Sequence, residues 1–183
     1  MRPTLHLTNL SSTKRHGPGR KVCAMAWPRS WEFGDGICSA LAPAKTDLLA
    51  IKGGSISLDD YRARFEARLQ GASLSPGALR LDAEDGTPGA TLSDGDTAFC
   101  ACARPGSPSR RTPCHLEIAV PFLVAAGWDV LLDGDRVTMG AEGPVWAEWH
   151  SWGATDGEGR PCNRYRRPGE PYSAEDFGWP TTT

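Results

Sequence analysis

Residues 96–134, DTAFCACARPGSPSRRTPCHLEIAVPFLVAAGWDVLLDG, constrain the fold more than any other part of the chain. They read as a buried strand, a basic turn-rich loop, a helix and a second strand over 128–132. A strand, helix, strand order of this length is a βαβ unit, with parallel strands joined right-handedly. The helix is predicted over about 112–126. Thr112 is its N-cap, and Pro113 takes the first helical position, where a missing N–H costs nothing. Pro121 then falls mid-helix, which implies either a kink or a later start. The turn signal Asp133-Gly134-Asp135 brings residues 136–139 back as an antiparallel edge strand.

The chemistry gathers where this first strand meets the helix, because ligands of open α/β sheets bind at strand carboxyl ends and helix amino ends. Cys114 and His115 lie in the predicted first turn. A thiol there feels the positive helix end, which favours the thiolate. The same end attracts anions, and Arg104, Arg110 and Arg111 in the preceding loop add charge. Cys100 and Cys102 share one face of the strand. Three functional readings follow. One is a nucleophilic or acid/base site on Cys114 and His115. The second is an anion or nucleotide pocket. The third is zinc held by Cys100, Cys102, Cys114 and His115, although C-x-C followed by C-H lacks the usual C-x-x-C knuckles. Against all three stands a structural reading, in which the cysteines are small buried hydrophobes. The sequence contains no G-x-x-x-x-G-K-[ST], G-x-G-x-x-G, G-x-S-x-G or H-E-x-x-H. Common nucleotide and hydrolase loops are thereby excluded.

The remaining chain supplies the partners of this unit. Residues 4–10 alternate as an opening strand and lead into a polar loop holding Ser11 and Lys14. The run VCAMAW over 22–27 reads as a strand covered on both faces, ended by Pro28. At its end, Trp27 and Arg29 either clamp a base or phosphate or cap the core and solvate. Residues 28–45 read as an irregular loop with a short helix near 39–41. The clearest helix is 57–70: Ser57 caps it, Asp59 and Asp60 suit its first turn, and Gly71 ends it. Leu58, Tyr61, Phe65 and Leu69 form its apolar stripe. Arg62, Arg64 and Arg68 are assigned to a solvated face. Residues 74–95 are rich in Gly, Pro, Ser and Asp and read as a loop with a helical turn near 78–81.

From Gly140 onward the periodicity is lost, and Trp146, Trp149, Trp152, Tyr165, Tyr172 and Trp179 sit among Gly, Pro and charge. The expected organisation is an α/β domain over 1–139 and an irregular aromatic-rich extension over 140–183 that packs on it. The run RPCNRYRR over 160–167 interleaves base and aromatic and suits either nucleic acid or a solvated tail. A net charge of −2 gives no global pull toward nucleic acid. No apolar run follows a basic start, so no secretory signal is expected. Residues 118–128 form the longest apolar stretch, too short to span a bilayer. The six cysteines are then expected as reduced thiols of a cytoplasmic protein.

Several short pieces, in order, resemble the bacterial and phage domain-of-unknown-function 488 family across roughly 4–132. They are T-x-x-S-x-x-K at Thr8, Ser11 and Lys14, and W-P-R at Trp27, Pro28 and Arg29. Next come L-A-P at 41–43 with a later Lys52, and Y-x-x-x-F-x-x-x-L in the 57–69 helix. F-C-A-C-A at 99–103 and C-H at Cys114 and His115 complete the set. The family usually has arginine after C-H; this chain has Leu116, with Arg110 and Arg111 in a longer preceding loop. The resemblance implies a three-layer, Rossmann-like α/β fold with a mostly parallel sheet. It also implies that the early loop, W-P-R, Lys52 and C-H face one pocket, and it implies no reaction. The residues themselves point to a pocket for a phosphate-bearing small molecule, a nucleotide or derivative. The other readings are a cysteine-dependent enzyme on nucleotides or nucleic acid, and a non-catalytic module that sequesters a ligand or protein.

Overall fold

The computed structural model describes residues 1–10, 17–26, 34–82, 87–101, 114–132, 135–140 and 143–146. In chain order these form strands β1 (Thr4–Asn9), β2 (Lys21–Cys23) and β3 (Gly36–Ile37), then a 3-10 turn (Ser39–Leu41). Helices α1 (Lys45–Lys52) and α2 (Leu58–Gln70) follow, then β4 (Arg80–Asp82), β5 (Pro88–Thr91) and β6 (Asp96–Cys100). Last come α3 (His115–Ala125), β7 (Asp129–Leu132), β8 (Asp135–Gly140) and β9 (Gly143–Trp146). The fold is mixed α/β. Nine strands lie in the order β5-β4-β3-β2-β6-β1-β7-β8-β9. The central five, β3 to β7 in space, are parallel, and antiparallel pairs extend the sheet at both ends.

Side-chain alternation separates the two faces of the parallel core. Register places Leu7 beside Ala98, Asn9 beside Cys100, Val22 beside Ala98, and Leu132 beside Leu7, so these share one face. Helix α3 covers that face, since the Cys114 and Cys100 sulfurs meet there. α2 packs against both α1 and α3, so the described helices form a single layer. His6 and Thr97 point to the opposite face, and there the chain returning from β1 to β2 lies directly on them at Gly17. Among the described residues the second face is covered by loop, not helix. The β1-to-β2 and β6-to-β7 crossovers run in opposite directions along the sheet on opposite faces. Both are thus of the same hand, as the twist of the strands requires.

Gly17 makes that close return feasible. Its φ is +61°, and an added Cβ would strike the Gly95 carbonyl and the Thr97 hydroxyl. Gly17→Ala is expected to cost at least about 1 kcal/mol of unfolding free energy, from left-handed strain plus displacement of the loop. Urea denaturation measures it, and an unchanged midpoint would show that the loop shifts freely.

Local chemistry explains most elements. The Ser57 hydroxyl accepts from Asp60 N at 3.0 Å, and the Asp60 carboxylate accepts from Ser57 N at 3.1 Å, a reciprocal capping box. The Ser57 hydroxyl, 2.7 Å from Asp60 Oδ2, and then the Ser57 amide hold the Asp60 carboxyl below its ordinary range. Tyr61, Phe65 and Leu69 bury as the stripe requires. Gly71 does end α2, but in right-handed backbone at φ −80°. Trp128 is fully buried and donates from Nε1 to the Leu74 carbonyl at 2.7 Å, which fastens the turn before β7 to the loop after α2.

Four expectations are corrected. Residues 74–95 are not all loop, because β4 and β5 form the outer antiparallel hairpin there. Helix α1 has no expected counterpart. Arg62 is not solvated: it is buried, and its Nε donates to Glu66 Oε1 at 2.6 Å. Arg64 and Arg68 are exposed as expected, Arg64 pairing with Asp47 of α1 and Arg68 donating to the Ser39 carbonyl. Strand β8 is antiparallel to β7 as expected but is not the edge. β9 pairs with it beyond residue 139, where an irregular segment is expected. Residues 147–183, with most of the aromatic-rich extension, lie outside the described residues.

Candidate functional site

The C-terminal ends of β1, β2 and β6 lie side by side, and the start of α3 sits over them. Cys114 is the N-cap residue of α3, with φ −73° and ψ 112°, and its side chain does not cap the helix. Helix α3 therefore begins later than the Thr112-Pro113 signal suggests. Pro121 comes to lie in its second turn, where only one intrahelical donor is lost.

The Cys114 sulfur contacts the Cys100 sulfur, at the end of β6, at 3.6 Å, and both residues are buried. His115 turns inward from the first helical position. Its Nε2 lies 2.6 Å from the Ala24 carbonyl just beyond β2. A carbonyl can only accept, so Nε2 carries the proton and donates it. The ring also meets Phe65 of α2 edge-to-face, with centroids 5.8 Å apart. Burial pushes the His115 pKa below its ordinary value, more strongly than the Cys114 charge and the Ala24 bond raise it. The imidazole is therefore neutral at pH 7, and it ties the helix start to the end of β2.

Thr8 and Asn9 close β1 as buried polar residues at the same edge. Arg62 is a further buried polar residue, on the helix that carries Phe65. It stands one turn before Phe65 on the buried side of α2, a position that the solvated-face rule for arginine hides. Its signal in the sequence is Glu66 four residues on, an i, i+4 ion pair that lets the guanidinium be buried.

Of the residues proposed from sequence, Cys100, Cys114 and His115 are brought together. Lys52 ends α1 on the exposed surface. Ser11, Lys14, Trp27, Arg29, Cys102, Arg104, Arg110 and Arg111 lie outside the described residues. The segments carrying them depart from Leu10, Ala26 and Ala101, the described residues after β1, β2 and β6. Chain connectivity therefore launches all three from one edge of the sheet. Among the described residues no group of three or more His, Cys, Asp or Glu is arranged to hold a metal ion. Nor is any helix there long and apolar enough to cross a membrane.

No family model, no curated protein and no solved structure matches this chain.

Proposed function

We propose that this protein binds a phosphate-bearing small molecule, a nucleotide or nucleotide derivative, at the C-terminal edge of β1 and β6. One observation carries the reading. These adjacent parallel strands send their chains to opposite faces, β1 into the loop that returns over Thr97 and β6 into α3. Such a divergence opens a crevice outside the strand ends, the place where Rossmann-like sheets take ligands. The amino end of α3 points its positive dipole at this edge. The segments leaving it carry Ser11, Lys14, Arg29, Arg104, Arg110 and Arg111, which supply the charge and hydroxyls that a phosphate needs.

Binding is favoured over acid/base catalysis by His115, whose Nε2 proton is committed to the Ala24 carbonyl inside a desolvated pocket. In the proposed site His115 fixes the helix start rather than exchanging protons with a ligand. Calorimetric titration with nucleoside mono-, di- and triphosphates tests the reading. Arg111→Ala and Lys14→Ala are each expected to weaken the bound nucleotide by about 1–3 kcal/mol, the worth of a charge-assisted bond. Binding of no nucleotide, or unchanged affinity in both variants, would remove the phosphate pocket.

A further inference from the structure

We infer that Cys100 and Cys114 form a reversible dithiol–disulfide site that takes a low-molecular-weight disulfide as its oxidant. The inference is independent of the nucleotide reading. Its basis is geometric: two sulfurs from separate elements face each other at 3.6 Å, one at the end of β6 and one at the N-cap of α3. A bond needs them about 1.6 Å closer, given an S–S length near 2.05 Å. The Cys114 side chain makes no capping bond to α3, so closing that gap breaks no helix cap.

The two sulfurs differ in access. Cys100 is 1% exposed and Cys114 6%, so Cys114 is the one an incoming reagent meets first. Its place at a helix amino end also favours the thiolate, which is the attacking species.

The chemistry balances as two exchanges. Cys114 thiolate attacks one sulfur of the small disulfide, forming a mixed disulfide and expelling one small thiolate. Cys100 thiolate then attacks Cys114 Sγ, forming the internal bond and expelling the second small thiolate. Two protein thiols are oxidised, one small disulfide is reduced, and the two protein protons pass to solvent or to the departing thiolates. The internal bond would lock the start of α3 to the end of β6, across the edge from which the three segments depart.

The full chain, folded and incubated with oxidised glutathione, provides the test. The expected product has lost the mass of two hydrogen atoms and returns to the starting mass with dithiothreitol. Peptide mapping without reduction should join the segment holding Cys100 to the segment holding Cys114. Because Cys102 lies in the same peptide as Cys100, the Cys102→Ser chain is mapped too and should keep the crosslink. Cys100→Ser should instead stop at the mixed disulfide on Cys114. A crosslink lost with Cys102→Ser, a bond between any other pair, or a folded wild-type chain that keeps six free thiols would each overturn the assignment.

Discussion

Replacing Asp96 with alanine is expected to remove about 3–5 kcal/mol from the unfolding free energy, the range for breaking a buried ion pair from one side. The Asp96 side chain is 3% exposed at the amino end of the central strand. It accepts from Arg20 Nη2 at 2.6 Å, from the Arg20 amide at 2.9 Å and from the Ser93 amide at 2.9 Å. Arg20 Nη2 also reaches the Thr91 carbonyl at 2.6 Å. One carboxylate thus holds the entry to β2, the exit of β5 and the start of β6. Its removal leaves two amides and a guanidinium short of an acceptor, and the side chain of Arg20, 31% exposed, recovers only part of that from water. Asp96→Asn keeps one oxygen and should lose less. Urea denaturation of the three chains measures the series. A loss under about 1 kcal/mol in the alanine chain would mean that the loop rehydrates these groups without strain.

Asp96 also shows where sequence reading stops. An aspartate opening a strand looks like a solvated turn residue, and its buried role follows only from Arg20, 76 positions away, which no local pattern connects to it. The βαβ core was legible because each step has a local cause. Weak apolar alternation marks β1, a buried run marks β6, Ser57 and Asp60 mark the start of α2, and Asp133-Gly134-Asp135 marks the reversal into β8. The outer strands were hidden by their brevity. β3, β4 and β5 have two to four residues each, too few for a period, and their neighbours are Gly and Pro. Helix α1 begins after Pro43-Ala44 with no side-chain cap, so its start carries no signal.

At the candidate site the pattern is the same. Cys100, Cys114 and His115 were placed together because they flank one strand-to-helix connection. The partners that fix His115 come from β2 and α2, through Ala24 and Phe65, and only the tertiary fold brings them there. Arg62 was misread for a related reason. A lone arginine is solvated by default, and its burial depends on Glu66 within the helix and on the layer formed with α3.

His115 gives the second large effect, and it carries a pH signature. His115→Ala is expected to cost about 2–4 kcal/mol at pH 7.5, through a cavity beside Phe65 and an orphaned Ala24 carbonyl. Burial lowers the folded-state pKa of the ring below its ordinary value of 6.5, so the folded chain resists the proton that the unfolded chain accepts. Below pH 6.5 the unfolded state therefore binds more protons than the folded state. The stabilising contribution of His115 is fully present above that pH and is lost as pH falls toward the folded-state pKa. The slope is at most about 1.4 kcal/mol per pH unit for one proton. The alanine chain lacks this term, so the stability gap between the two chains should narrow on acidification below 6.5. Carboxylate titration is common to both chains and cancels in the difference. Denaturation curves recorded from pH 8 to pH 5 read it out directly. A gap that stays constant would mean that burial does not lower the folded-state pKa, and one that widens toward pH 5 would mean that the folded protein favours the charged ring; either would overturn the desolvated neutral imidazole.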